Sequence, residues 1–228
     1  MQTITNFLAS FNAQRLVYLL ISAAASVLCI AGHELSHGLA ALALGDDTAK
    51  RAGRLTLNPL AHVDPVGLVL LVVAHVGWAK PVPVDPRGFR RPKLGMALTA
   101  LAGPASNFIM ATAALAAASI LIRNASGMAA TYALVFLCYA AVLNVGLGLF
   151  NLIPIPPLDG SKVLGVFLPD RLYGFYLRYE RYMMIVVIAL AWLGVFGGVL
   201  GTGMGAVLTG LCRVTGFPFE FLHATFGL

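Results

Sequence analysis

Four long apolar runs govern what this chain can fold into. They fall at residues 16–44, 94–122, 130–153 and 183–211, and each reaches the roughly 20 residues that an α-helix needs to cross the hydrocarbon of a bilayer. With four such runs in 228 residues, no stretch is left for a separate water-soluble core. Composition agrees: 59% of the residues are hydrophobic and 11% are charged, where about 25% charged is usual in a soluble domain. The expected fold class is an all-α polytopic membrane protein, with one membrane-embedded domain over residues 1–228.

A fifth apolar run, residues 66–78, is only 13 residues long and leads into Lys80-Pro81-Val82-Pro83-Val84, whose prolines lack backbone donors and break helices. Residues 66–84 are therefore read as a short re-entrant or β-like insertion. Charge placement gives the same answer. Eight of the fifteen Lys and Arg lie between the first and second runs, and four lie between the third and fourth. Positive charge collects on the cytoplasmic side, so both connections are expected there and both termini outside. A crossing at residues 66–78 would instead carry the five positive charges from Lys80 to Lys93 outward. The net charge of +6 thus reports topology and contact with anionic lipid, not a nucleic-acid partner. The first run lacks the basic start and small-residue cleavage site of a signal peptide and is expected to be retained. Cys29, Cys138 and Cys212 have unrelated spacings and read as small buried hydrophobes.

The chemistry is concentrated near the end of the first run, in His33-Glu34-Leu35-Ser36-His37. Histidines at i and i+4 project from one helical face and can share a zinc ion, while the glutamate between them can reach the water that such an ion activates. Ionisable groups inside a membrane are costly and persist only with partners or a function. The less favoured reading of the same residues is a hydrogen-bonded cluster that cements helices.

Catalytic zinc needs a third protein ligand. The best source is Asp159 in Asn151-Leu152-Ile153-Pro154-Ile155-Pro156-Pro157-Leu158-Asp159-Gly160, where three prolines end the third helix and Gly160 permits a tight turn. Irregular backbone at membrane depth survives only where it is buried in protein or lines a watery cavity. The first and third runs cross in the same direction, so His33, His37 and Asp159 come to the same, cytoplasmic side. An isolated Asp-Gly pair would read as a turn; the histidine motif changes that weighting.

With these motifs in hand, the chain resembles the site-2 protease family of intramembrane zinc metalloproteases. The resemblance is carried by residues 33–38, by Leu101-Ala102-Gly103-Pro104-Ala105-Ser106-Asn107 and by residues 151–160. Residues 58–67 and Gly77-Trp78-Ala79-Lys80-Pro81-Val82-Pro83-Val84 look like the compact bacterial and archaeal branch without PDZ or CBS domains. The likeness covers roughly residues 31–163. It implies regulated intramembrane proteolysis: hydrolysis of a peptide bond within or next to the transmembrane helix of a membrane protein substrate. It implies one Zn²⁺ per chain on His33, His37 and Asp159, with Glu34 as general base, in a prokaryotic cytoplasmic membrane with the active site toward the cytoplasm.

Other residues carry weaker signals. Asn151 and Pro157 match family positions near the active site, and Asn151 could offer an amide to the developing oxyanion or simply close the bundle. Asn107 follows the small pair Gly103-Pro104 and reads as packing plus a hydrogen bond behind the metal ligands. His62, Asp64 and His75 are not expected to form a second metal site. The Gly-rich fourth run reads as a substrate gate or, alternatively, as two shorter helices. The aromatic C-terminus reads as an interfacial anchor, with a homo-oligomer or regulatory membrane partner left open. A substrate strand could add to an exposed edge of residues 66–84. The competing functional class is a non-proteolytic membrane metal-binding protein or metal-ion transporter, which has no need of a base between its histidines.

Overall fold

The apolar runs become helices whose ends are set by proline and glycine. A computed structural model describes residues 13–62, 64 and 80–227 and shows α1 (Ala13–Ala43), α2 (Thr48–Arg51), α3 (Pro92–Asn124), α4 (Met128–Asn151), α5 (Asp159–Gly165), α6 (Asp170–Trp192), α7 (Gly197–Thr215) and α8 (Phe219–Phe226). Short 3₁₀ turns lie at Pro59–Ala61 and Pro86–Gly88, and no strand occurs among the described residues. Four helices are long and apolar enough to cross a membrane: Gln14–Ala43, Pro92–Asn124, Met128–Asn151 and Gly197–Thr215. Pro92 opens α3, where its missing N–H costs nothing. Gly127, at φ +96°, turns α3 directly into α4, which makes the two helices antiparallel neighbours.

The long α3 packs against α1, α4 and α5, and α7 leans on α4 and α3. Away from the polar motifs, the core joins Ala111, Ala114, Leu115 and Ala118 of α3 to Cys138, Ala141 and Val145 of α4, with Leu208 and Cys212 of α7. Its small side chains let the helix backbones approach closely. All three cysteines are buried free thiols, as expected. The aromatic C-terminus folds back on this core: Phe217 and Leu222 are buried, and the Phe226 ring meets Tyr139 edge-on at 4.9 Å.

The fourth apolar run departs from expectation. Residues 183–211 do not form one crossing but are divided at residues 193–196, where Gly194 takes φ +73° and the chain turns. The crossing helix is α7. The preceding apolar segment Tyr182–Trp192 is about 16 Å long at 1.5 Å per residue, too short to span. The start of α6 and the start of α7 both belong to the end of the bundle where α3 begins and α4 finishes. Lys93 pairs with Asp170 at 2.6 Å, and Phe150 meets Phe196 edge-on at 5.9 Å. The parity of four crossings therefore survives the break.

Residues 66–79 of the expected insertion lie outside the described residues. Residues 80–85 run as an extended strap across α1, and its anchors come from four places. The Lys80 N–H donates to His62 O at 2.8 Å, and Arg54 Nη2 donates to Lys80 O at 2.8 Å and Pro81 O at 3.3 Å. The Val82 N–H donates to Glu34 Oε2 at 2.9 Å, and the Asp85 N–H to Asp46 Oδ2 at 2.8 Å.

Asp46, 2% exposed, also accepts from the Thr48 N–H and hydroxyl, so one carboxylate fastens the exit of α1 to the far end of the strap. Burial raises its carboxyl, but these three donors outweigh that and hold it below the ordinary carboxylate range. A carboxyl depressed in the folded state contributes stability above its unfolded value, near pH 4, and loses it as pH falls through the folded value. Asp46→Ala is expected to cost about 2 kcal/mol at neutral pH. Denaturation in detergent should show the gap to wild type closing only in strong acid.

Candidate metal centre

His33 and His37 lie on one face of α1, with His37 about 9 Å before the end of the helix at 1.5 Å per residue. Asp159 opens α5, directly after the Pro-rich break that ends α4. All three side chains are buried. Their contacting atoms form a nearly equilateral triangle: His33 Nε2 to His37 Nε2 is 3.0 Å, His33 Nε2 to Asp159 Oδ2 is 3.2 Å, and His37 Nε2 to Asp159 Oδ2 is 3.1 Å. Among the described residues this is the one group of three suited to hold a metal.

The ring orientations are fixed from behind. His33 Nδ1 faces Asn107 Oδ1 at 3.1 Å, and His37 Nδ1 faces the Thr99 carbonyl at 2.8 Å. Both partners are acceptors, so each Nδ1 carries the proton and each Nε2 presents its lone pair. Three acceptor atoms then face one another at about 3 Å, and the buried Asp159 Oδ2 has no hydrogen-bond partner of its own. A cation resolves that arrangement. Ligand atoms 2.0–2.1 Å from a tetrahedral zinc stand about 3.3 Å apart, close to the observed triangle. The residues therefore fit zinc.

Burial works against the charged form of Asp159. Lys162, 3.8 Å from Oδ1, favours that form. As a carboxylate, Asp159 would complete a set of three ligands with the two histidines.

Three glycines make the centre possible. A Cβ on Gly103 of α3 would stand 2.4 Å from His37 Cε1 and 2.6 Å from His33 Cε1, so both rings are seated against bare backbone. A Cβ on Gly160 would meet Leu152 O at 2.2 Å, where the chain doubles back to present Asp159. A Cβ on Gly38 would strike Leu55 at 2.4 Å and Val82 at 3.2 Å; its absence lets the strap lie on α1.

The remaining sequence candidates fall as follows. Asn107 is fully buried and sits behind His33. Asn151 donates its amide to Leu147 O at 3.0 Å, within its own helix. Pro157 is half-buried in the break before Asp159. His62 is buried with Nε2 on Thr56 O at 2.8 Å, and His75 lies outside the described residues. Sequence reasoning missed Thr99, Arg54 and the Val82 amide. Two of these act through the backbone, which leaves no side-chain signal.

Known proteins of similar sequence carry zinc metalloprotease names. The chain is 41% identical over 163 residues to the protein named "Putative zinc metalloprotease YwhC" of Bacillus subtilis, covering 69% of this chain and 74% of that one. It is 32% identical over 171 residues to the Mycobacterium tuberculosis protein named "Putative zinc metalloprotease Rip2", covering 69% of this chain and 62% of that relative. The match to the Rip2 of Mycolicibacterium smegmatis is 32% over 141 residues, or 60% of this chain and 52% of the relative. The chain belongs to the site-2 protease family. No protein-family model matches it, and no solved structure matches it with significance. As a site-2 protease family member with four apolar crossing helices it is an integral membrane protein, and its enzymatic class is zinc metalloprotease.

Proposed function

We propose that this site-2 protease family member hydrolyses a peptide bond within or next to the transmembrane helix of a membrane protein substrate. Its centre would consist of His33, His37 and Asp159 around one zinc ion, with Glu34 as general base. The observation that carries the reading is the triangle of three buried acceptor atoms, with a carboxylate one residue along α1 from the first ligand. Zinc held there supplies a Lewis acid that makes water nucleophilic near neutral pH. Glu34 takes the proton of the attacking water on Oε1, the oxygen not used by the strap, and delivers it to the leaving amine nitrogen. Asn107 and the Thr99 carbonyl hold the imidazoles in the tautomer that ligation needs.

The reading extends to orientation. The basic connections around residues 45–93 and 152–182 support a site end facing the cytoplasm of a prokaryotic cell, with both termini outside. Water then reaches the centre from the cytoplasmic side, and the substrate reaches it from the lipid after local unwinding. A homo-oligomer or a regulatory membrane partner would be an addition to this scheme, and no step in it requires one.

Purified protein in proteoliposomes, mixed with a panel of single-span substrates, tests the proposal. Cleavage should stop on treatment with a zinc chelator and return with added zinc. No cleavage of any substrate, together with zinc flux across the vesicle wall, would establish the transporter reading instead.

A further inference from the structure

The proposed base does not stand alone on α1: one of its oxygens accepts a backbone N–H from a segment 48 residues away in the chain. We infer that the Val82 amide is the positioning donor for Glu34, held in place by Arg54, and that residues 80–85 form a strap which sets the base instead of an edge for substrate addition. This rests on Glu34 being the base, as proposed above.

Three observations carry the inference. The first is how the strap's hydrogen bonds are spent. Pro81 and Pro83 have no N–H, while the amides of Lys80 and Val82 are already given to His62 O and Glu34. A strand pairs by alternating donors and acceptors along one edge. The edge that Pro81 and Pro83 would present offers only their carbonyl acceptors, and on the other the Lys80 and Val82 amides are already given, so this stretch is poorly suited to extend a ladder.

The second is fit. Val82 is 7% exposed, and its side chain lies on α1 at Gly38, one turn beyond Glu34, where a Cβ would stand 3.2 Å from Val82 Cγ1. Packing and hydrogen bond thus hold the same residue in register with the metal motif.

The third is Arg54. A single guanidinium nitrogen holds the two carbonyls immediately before the Val82 amide, while Asp46 holds the amide at Asp85. The strap is fastened on both sides of Val82, so the donor is preorganised. A carboxylate on a helix otherwise samples several rotamers. With Oε2 tied to a fixed backbone N–H, Oε1 is left with one orientation for proton transfer, which is the property that hydrogen bonds behind catalytic ligands supply.

Val82→Pro removes the donor within a strap that is already proline-rich, and also alters the side chain that packs on Gly38. Val82→Ala keeps the donor and trims the packing. Val82→Pro should lower kcat about 10- to 100-fold with KM within about threefold and zinc content unchanged. Val82→Ala should lose only about threefold. Arg54→Ala should fall in kcat in the same manner, and Arg54→Lys should recover part of the loss.

A readout independent of activity is hydrogen exchange at the Val82 amide in the zinc-loaded protein. Exchange should rise at least about tenfold in Glu34→Ala and stay slow in Glu34→Gln, whose amide oxygen still accepts. Equal falls in kcat for Val82→Pro and Val82→Ala, or unchanged exchange in Glu34→Ala, would overturn the inference. If the wild type cleaves nothing, the base assignment fails, and the exchange arms still decide whether Glu34 holds the strap.

Discussion

Glu34→Gln should lower cleavage by at least about 10³-fold while one zinc ion per chain remains bound. The substitution keeps the size of the side chain and its ability to accept from the Val82 N–H, so neither the strap nor the helix has reason to move. What it removes is proton affinity. An amide cannot take a proton from water at neutral pH, nor hand one to a leaving amine. The proposed ligands His33 and His37 lie on either side of Glu34 in sequence but on a different part of the helix surface, and their tautomers are set by Asn107 and Thr99, not by Glu34. Zinc analysis and substrate cleavage measured on the same preparation separate the two outcomes. Bound zinc with undiminished cleavage would remove Glu34 from the mechanism.

The substitution also separates protease from transporter. A transport site needs ligands that bind and release an ion, and a base between them adds nothing to that task. Glu34→Gln in a transporter would leave flux largely intact, whereas a hydrolase loses turnover.

Much of this centre was legible in the sequence, because its chemistry depends on side chains at helical spacing. His33 and His37 announce themselves by the i, i+4 interval. Asp159 was reachable by a longer argument: three prolines end α4, and helix direction brings that end beside the histidines. The long crossings at α1, α3 and α4 followed from apolar length alone.

The fourth run was only partly legible: its glycines allowed two shorter helices as an alternative, but hydropathy drew residues 183–211 as one crossing. A left-handed glycine stops a helix with little change in apolar content, so apolar length alone does not locate the turn at Gly194. The strap was illegible for a different reason. Its contribution lies in backbone N–H and C=O groups, and the sequence offers only indirect hints: an Arg at position 54 and prolines that leave few amides to give.

Replacing a residue that ligates nothing provides a severe check on the geometry. Gly103→Ala should weaken zinc binding by about 10- to 100-fold and reduce cleavage at least in proportion, although all three ligands and the base are intact. The added methyl would stand 2.4 Å from His37 Cε1 and 2.5 Å from His37 Nε2, with His33 Cε1 at 2.6 Å. Neither ring can swing away freely, because His33 is tied to Asn107 and His37 to the Thr99 carbonyl, both on the same α3. Relief therefore requires the rings to break those hydrogen bonds or α3 to separate from α1, an overpacking cost of about 1–3 kcal/mol. Helix propensity acts in the opposite direction, since Ala is better than Gly in a helix interior by about 1 kcal/mol. Loss of zinc accompanied by retained helical content would thus locate the damage at the imidazoles. Zinc titration against a competing chelator, with circular dichroism on the same samples, makes the measurement. Wild-type affinity in Gly103→Ala would mean that the two rings do not rest on the α3 backbone.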